Sequence, residues 1–180
     1  MKAATLSLVL ALCSSCLAYV PPTAIAHSAS EVDSRAEIRS GPYDIDVTVR
    51  APFGPITTEA GEQVGGFQFR ASAIPGHAPR DYRLLIVVRA FGPSVLEHIA
   101  DDAGREFTLG SSKLGDAPTK DEFGERITAI TDRDYLEAHR GADLRLCMWG
   151  EASRCEFTVP AIYVDGFLRA CDRGLGRPGS

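Results

Sequence analysis

The stretch LRLCMWGEASRCEFTVPAIYVDGFLRAC, residues 144–171, decides how the chain is read. Leu144, Leu146 and Met148 alternate with Arg145, Cys147 and Trp149; Cys155, Phe157 and Val159 alternate with Arg154, Glu156 and Thr158. Such alternation is the mark of strands with one buried face. The two runs stand symmetrically about the turn from Gly150 to Ser153, so the segment is predicted to be an antiparallel hairpin. Bringing the apolar faces together pairs Met148 with Cys155 and sends Cys147 to the opposite side, which disfavours a Cys147–Cys155 bridge by parity. After Pro160, the residues Val164, Phe167, Leu168 and Cys171 fall at i, i+3, i+4 and i+7, the stripe of a helix lying on a core. Gly166 inside that helix weakens it by about 1 kcal/mol relative to Ala.

Upstream the same period of two recurs. Tyr43, Ile45, Val47 and Val49 alternate with polar residues, and Phe67, Phe69, Ala71 and Ala73 resume the pattern after a turn-rich loop from Ala51 to Gly66. Tyr82 to Phe91 contains the continuous apolar run Leu84 to Val88, which predicts a central strand covered on both faces. Shorter strands are expected around Val95–Ile99 and Glu106–Leu109, flanking the turn residues Asp101-Asp102-Ala103-Gly104. A further strand is expected from Glu125 to Ile130, and Asp132 is placed to cap a short helix that stops at Gly141. The fold class that follows is mainly β, with α+β character at the C-terminus. It is an antiparallel β-sandwich-like or strongly curved sheet with a short helix near 132–140 and a C-terminal helix near 161–171. The expected organisation is a signal peptide over 1–26, a flexible lead-in over 27–40, a single β-rich domain over 41–172 and a disordered tail over 173–180.

The segment Val159-Pro160-Ala161-Ile162-Tyr163-Val164-Asp165-Gly166-Phe167-Leu168 resembles the closing segment of a family of uncharacterised exported proteobacterial proteins, which end in a hairpin, a Pro and Tyr-x-x-Gly-Phe-Leu. The similarity extends loosely over residues 125–159. It implies an exported domain with this C-terminal architecture and carries no activity.

Export is also what the first residues predict. Lys2 precedes an uncharged apolar run from Leu6 to Leu12, and Ala24-Ile25-Ala26 forms a small-x-small cleavage site, with the cut between Ala26 and His27. Cys16 offers the alternative of a lipid anchor, since Ser14-Ser15-Cys16 follows the apolar run as in a lipoprotein signal. The product is therefore expected to be periplasmic or secreted, with lipid anchoring to the envelope as the alternative. The chain carries a formal net charge of −5 with scattered acidic residues, which argues against nucleic-acid partners. No later run reaches the roughly 18–20 apolar residues of a membrane helix, so no transmembrane segment is expected in the mature chain. An oxidising compartment lets disulfides persist. Of Cys147, Cys155 and Cys171, the pair expected to bridge is Cys155 with Cys171, both facing the interior; two ordinary buried thiols are the alternative.

The chemistry-bearing residues form no specific catalytic signature, and no cofactor is expected. An N-terminal His27 presents an amine and an imidazole together and suits copper, with His77, His98 and His139 as the possible second ligands. The loop carboxylates Asp116, Asp121, Glu122 and Glu125 suggest calcium, although their spacing matches no known loop. Zinc spacings and the Gly-x-Ser-x-Gly nucleophile pattern are missing from the sequence, and Cys147 beside Trp149 has no adjacent base. Ser40-Gly41-Pro42-Tyr43 resembles the Ser-Gly-x-x-Tyr element with which some periplasmic lysozyme inhibitors enter an active-site cleft. The expected function is a non-catalytic binding or interaction module of the envelope, its partner a protein or a cell-wall ligand. A periplasmic inhibitor of a lysozyme-like hydrolase and a copper-binding protein using His27 are the alternatives.

Overall fold

The computed structural model describes residues 25–41, 46–57, 63–75, 77, 79, 81–89, 96–110, 124–151 and 154–176. In chain order the elements are α1 (Ala29–Arg35), β1 (Glu37–Ser40), β2 (Val47–Arg50), β3 (Gly54–Thr57), β4 (Gln63–Ala73), β5 (Asp81–Arg89), β6 (His98–Asp101), β7 (Thr108–Gly110), β8 (Gly124–Thr131), α2 (Arg133–Ala138), β9 (Leu144–Trp149), β10 (Arg154–Val159) and α3 (Ala161–Leu175). The domain is mainly β, and all its strand pairs are antiparallel.

The strands form two sheets. The large one runs β1-β2-β4-β5-β8-β7 with β3 paired to β4, and the small one runs β10-β9-β6. β2 and β3 follow one another along the same edge of β4 and are separated by a break at Ala51-Pro52-Phe53. Pro52 has no N–H to give to a ladder, and the Ala51 carbonyl is taken up instead by the side chain of Gln68, whose Nε2 donates to it at 2.8 Å. The expected loop from Ala51 to Gly66 thus contains a strand and the first residues of β4. β5 is central as expected: Leu84 to Val88 are all buried, between β4 and β8. The turn expected at Asp101–Gly104 is present, with Gly104 at φ 82° and its N–H on the Asp101 carbonyl at 3.0 Å. It does more than close a hairpin, because the chain leaves the small sheet in β6 and enters the large sheet in β7.

The β9–β10 hairpin folds in the expected register, with Met148 opposite Cys155 and Cys147 opposite Glu156. Its apolar face looks onto the inner face of the large sheet, where Phe67 stacks on Phe157 at 6.5 Å between ring centroids. α3 covers the rest of that face: Phe67 meets Tyr163 edge-on at 5.0 Å and Phe69 stacks on Phe167 at 5.3 Å. Pro160 has no side chain with which to cap α3. Asp143 supplies the cap from a distance, its Oδ1 accepting from the Ala161 N–H at 2.9 Å. Asp132 caps α2 as expected, accepting from the Tyr135 N–H at 2.7 Å.

Two boundaries differ from expectation. Residues 27–40, expected as a flexible lead-in, contain α1 and β1. Ser28 caps α1 through the Glu31 N–H, and Val32 is fully buried. The signal was a short helix with a single apolar anchor, too few residues to show a period. Of the tail expected over 173–180, residues 173–175 instead belong to α3, where Arg173 donates to the Asp33 carboxylate at 2.8 Å and to its carbonyl at 2.7 Å, and residues 177–180 lie outside the described residues. The two corrections are one fact, since α1 and α3 pack together.

The contact between these helices is tightest at Gly166. A Cβ there would lie 2.5 Å from Val32 Cβ and 2.6 Å from the Ala29 carbonyl oxygen. The glycine that weakens α3 as an isolated helix is what lets α1 approach it. Gly166→Ala should accordingly destabilise the protein by about 1–3 kcal/mol through overpacking, outweighing a helix-propensity gain of about 1 kcal/mol. Urea unfolding measured by circular dichroism checks this, and a stabilised variant would contradict it.

Candidate functional site

The small sheet turns its apolar face inward, so its polar positions form a continuous outward surface. Register fixes the grid: His98, Trp149 and Arg154 lie in one row, Ala100, Cys147 and Glu156 in the next, and Arg145 opposite Thr158 in the third. Trp149 is the single tryptophan of the chain, and it stacks on the exposed His98 ring at 5.2 Å with the planes 12° apart. Arg154 reaches along its strand to Glu156 at 2.6 Å, both well exposed. An exposed pair of this kind adds little stability and leaves both charges open to a ligand. Arg145, Cys147, Arg154, Glu156 and Thr158 border an open groove of ≈ 710 Å³ that also touches Thr57 and the turn residues Asp101 and Asp102.

A second polar cluster behind this face is already satisfied internally. Asp101 is buried, and its two carboxylate oxygens accept from the Arg105 N–H at 2.8 Å and the Tyr135 hydroxyl at 2.9 Å. Arg105 lies 4.3 Å from the centre of the Tyr135 ring and 2.8 Å from Asp132. Burial and then the Asp101 carboxylate hold the Tyr135 hydroxyl well above its ordinary range. The cluster ties the turn after β6 to α2 and engages both oxygens of the carboxylate.

The expected Cys155–Cys171 bridge is corrected, for Cys147, Cys155 and Cys171 are all free thiols. α3 does not fold back along β10. It packs on α1, α2, β2 and β4, which carries Cys171 to the neighbourhood of Arg133 and Asp172. Cys155, at the start of β10, sits instead near Cys147 and Glu156. Burial pushes the Cys171 thiol up to about 12, so it is protonated and unreactive at neutral pH. Burial also raises the half-buried Cys155 thiol, with Cys147 and Glu156 adding to the effect.

Ala26 and His27, the residues flanking the expected cut, have different surroundings. Ala26 is buried at 4% exposure, and its N–H donates to the Tyr163 hydroxyl at 3.2 Å. His27 is exposed, and its backbone N–H donates to Glu31 Oε2 at 2.7 Å, which lowers the Glu31 carboxyl. None of the other histidines is brought to it as a pair. His98 lies against Trp149, His139 against Tyr135, and His77 stands exposed in its loop. Among the described residues no group of three or more His, Cys, Asp or Glu side chains stands together as a metal site. Cys16, Pro42, Tyr43, Asp116, Asp121 and Glu122 lie outside the described residues. Among the described residues no helix is long and apolar enough to cross a membrane.

Sequence reasoning placed Cys147 on the outward face and missed the rest of it. The parity that exposes Cys147 also exposes Trp149, Arg145 and Arg154, but the pairing of β6 with β9, which brings His98 to Trp149, leaves no local signal. Comparison of the chain with family models, with curated proteins and with solved structures returns no match.

Two measurements follow from this geometry. Alkylation of the native protein should leave Cys171 unlabelled, and unfolding without reductant should make all three thiols reactive, read by mass spectrometry. A disulfide-linked peptide would contradict the free-thiol state. A chain starting at His27 should be less stable than one starting at Ile25 by about 1–2 kcal/mol, the combined worth of a small buried side chain and one hydrogen bond. Equal unfolding midpoints would show that Ala26 contributes nothing.

Proposed function

We propose that the chain is an exported, non-catalytic binding module of the cell envelope whose ligand docks on the outward face of the small sheet. The observation that supports this reading is the placement of Trp149, stacked on His98 and flanked by Arg154, on a solvent-facing surface that runs into an open groove. Tryptophan and arginine are the residues most enriched where binding energy concentrates. A half-buried indole beside an arginine suits a ligand that offers a flat apolar surface together with acceptor groups. Protein surfaces and the sugar rings of a cell wall both have that character.

One feature favours inhibition of a lysozyme-like hydrolase as a second reading. β1 and β2 pair at the edge of the large sheet with Ser40 opposite Val47, and the Gly41 N–H donates to the Asp46 carbonyl at 2.7 Å, so the ends of the segment that contains Tyr43 are held together. This is the segment whose sequence resembles the inhibitor element.

Titration with solubilised peptidoglycan fragments, and separately with a lysozyme, should shift the Trp149 emission. Arg154→Gln should weaken that response roughly tenfold, about 1.4 kcal/mol, with an unchanged circular dichroism spectrum. Loss of binding in Tyr43→Ala but not in Arg154→Gln would move the site to the β1–β2 loop. An emission indifferent to both probes, with neither retained on the immobilised protein, would remove the reading.

A further inference from the structure

The outward face of the large sheet carries a concentration of positive charge that the acidic composition of the chain does not foreshadow. Register sets Arg50 of β2 opposite Arg70 of β4, and Arg70 opposite Arg83 of β5, so three arginines on adjacent strands form one row. Neighbouring strands are about 4.8 Å apart, and like charges directly opposite one another are destabilising. Arg126 of β8 projects from the same face, since its partner Val87 shares parity with Arg83. This is the face away from α3, because Phe69, which stacks on Phe167, and Arg70 are successive residues of one strand.

Two acidic groups offset part of the charge on this face. Asp81 holds Arg83 through both oxygens, at 2.8 and 2.7 Å, and Glu37, opposite Arg50 in register, reaches Arg39 at 2.7 Å. Among the described residues no carboxylate is paired with Arg50, Arg70 or Arg126. Arg70 is nevertheless held in place, for its Nε donates to Gln68 Oε1 at 2.7 Å while the other end of that buried amide is anchored on the Ala51 carbonyl. A guanidinium fixed through Nε keeps its two terminal nitrogens to offer as a fork. Arg50 Nε is enclosed and has no hydrogen-bond partner among the described residues. Burial, and then the charges of Arg50, Arg126 and Arg83, lower the pKa of Arg70, which registers how closely the four guanidiniums crowd.

We propose that this face is a binding site for a compact polyphosphoryl group, two or more linked phosphates, held by Arg50, Arg70, Arg83 and Arg126. The guanidinium fork matches phosphate oxygens two at a time. Linked phosphates spread several negative charges over the two strand spacings of the Arg50–Arg70–Arg83 row and on toward Arg126, four residues along β8 from the row; an isolated carboxylate supplies one. Gln68 and Thr128, which flank the row, add neutral polar groups on the same face. The site is separate from the small-sheet face, and neither reading depends on the other.

Calorimetric titration of the full chain at low ionic strength, with pyrophosphate and tripolyphosphate as probes, tests the proposal. Submillimolar binding that weakens with added salt is expected. Arg70→Gln should reduce affinity roughly tenfold or more, while Arg169→Gln, an exposed change on α3, should leave it intact. Without ligand, Arg70→Gln should unfold at a temperature no lower than the parent, because the substitution relieves repulsion between like charges. Absence of binding at millimolar pyrophosphate, or affinity unaffected by Arg70→Gln, would overturn the proposal. Retention on anionic lipid vesicles without any response to pyrophosphate would overturn it as well, by making the face a membrane-contact surface.

Discussion

Everything in this domain is arranged around the need to cover one face of a seven-stranded sheet, and Phe67 stands where the two covers meet. It is fully buried, with rings of Phe157 from the small sheet and Tyr163 from α3 against it. Gly54 lies beneath, where a Cβ would fall 2.4 Å from the Phe67 ring. Neither the three-stranded sheet nor a single helix is wide enough to cover such a sheet alone. The connection through Pro160 is short, so the last strand of the small sheet and the helix must share the face, side by side. A large aromatic at their junction fills the gap, as close packing of a protein interior demands.

That arrangement explains which parts of the chain had to be polar. With α3 and the small sheet occupying the inner face, the outward sides of both sheets are left to other uses. One presents the Trp149 grid and the other the arginine row, on opposite sides of the sandwich. Helix α1 closes the layer by lying against α3, and the half-buried Arg133 bridges α2 to α3 through Asp172 at 2.6 Å. The polar ties described here, Asp101 with Tyr135, Asp143 with Ala161 and Asp33 with Arg173, all join elements distant in sequence. They fix how layers sit on each other after apolar burial has brought them together.

Legibility followed the range of the interactions. The hairpin of β9 and β10 and its register could be read because two alternating runs and a turn are local and self-consistent. The burial of β5 was readable from an unbroken apolar run, and the α2 cap from Asp132 and the pattern after it. Elements whose identity comes from a distant partner could not be read. α1 is ordered by α3 more than a hundred residues later, and β3 exists because β4 offers an edge to it. The same limit applies to the sites. Cys147 was placed outward by parity within one hairpin, whereas His98 reached Trp149, and Arg50 reached Arg70 and Arg83, only through strand pairings with no sequence signature. The Cys155–Cys171 expectation failed for a related reason: facing the same interior is a weaker condition than being adjacent within it, and the path of α3 over β2 and β4 decides adjacency.

The rims of the two sheets carry a last implication. β1 has four residues, all exposed, with Glu37 and Arg39 among them; β7 has three; and β3, beside the break in its edge, includes Pro55. On the small sheet β6 is four residues long and β10 alternates outward through Arg154, Glu156 and Thr158. Brief, charged or proline-bearing borders are poor templates for another chain's backbone. Backbone pairing of one copy with another, edge to edge, is thereby disfavoured along these rims.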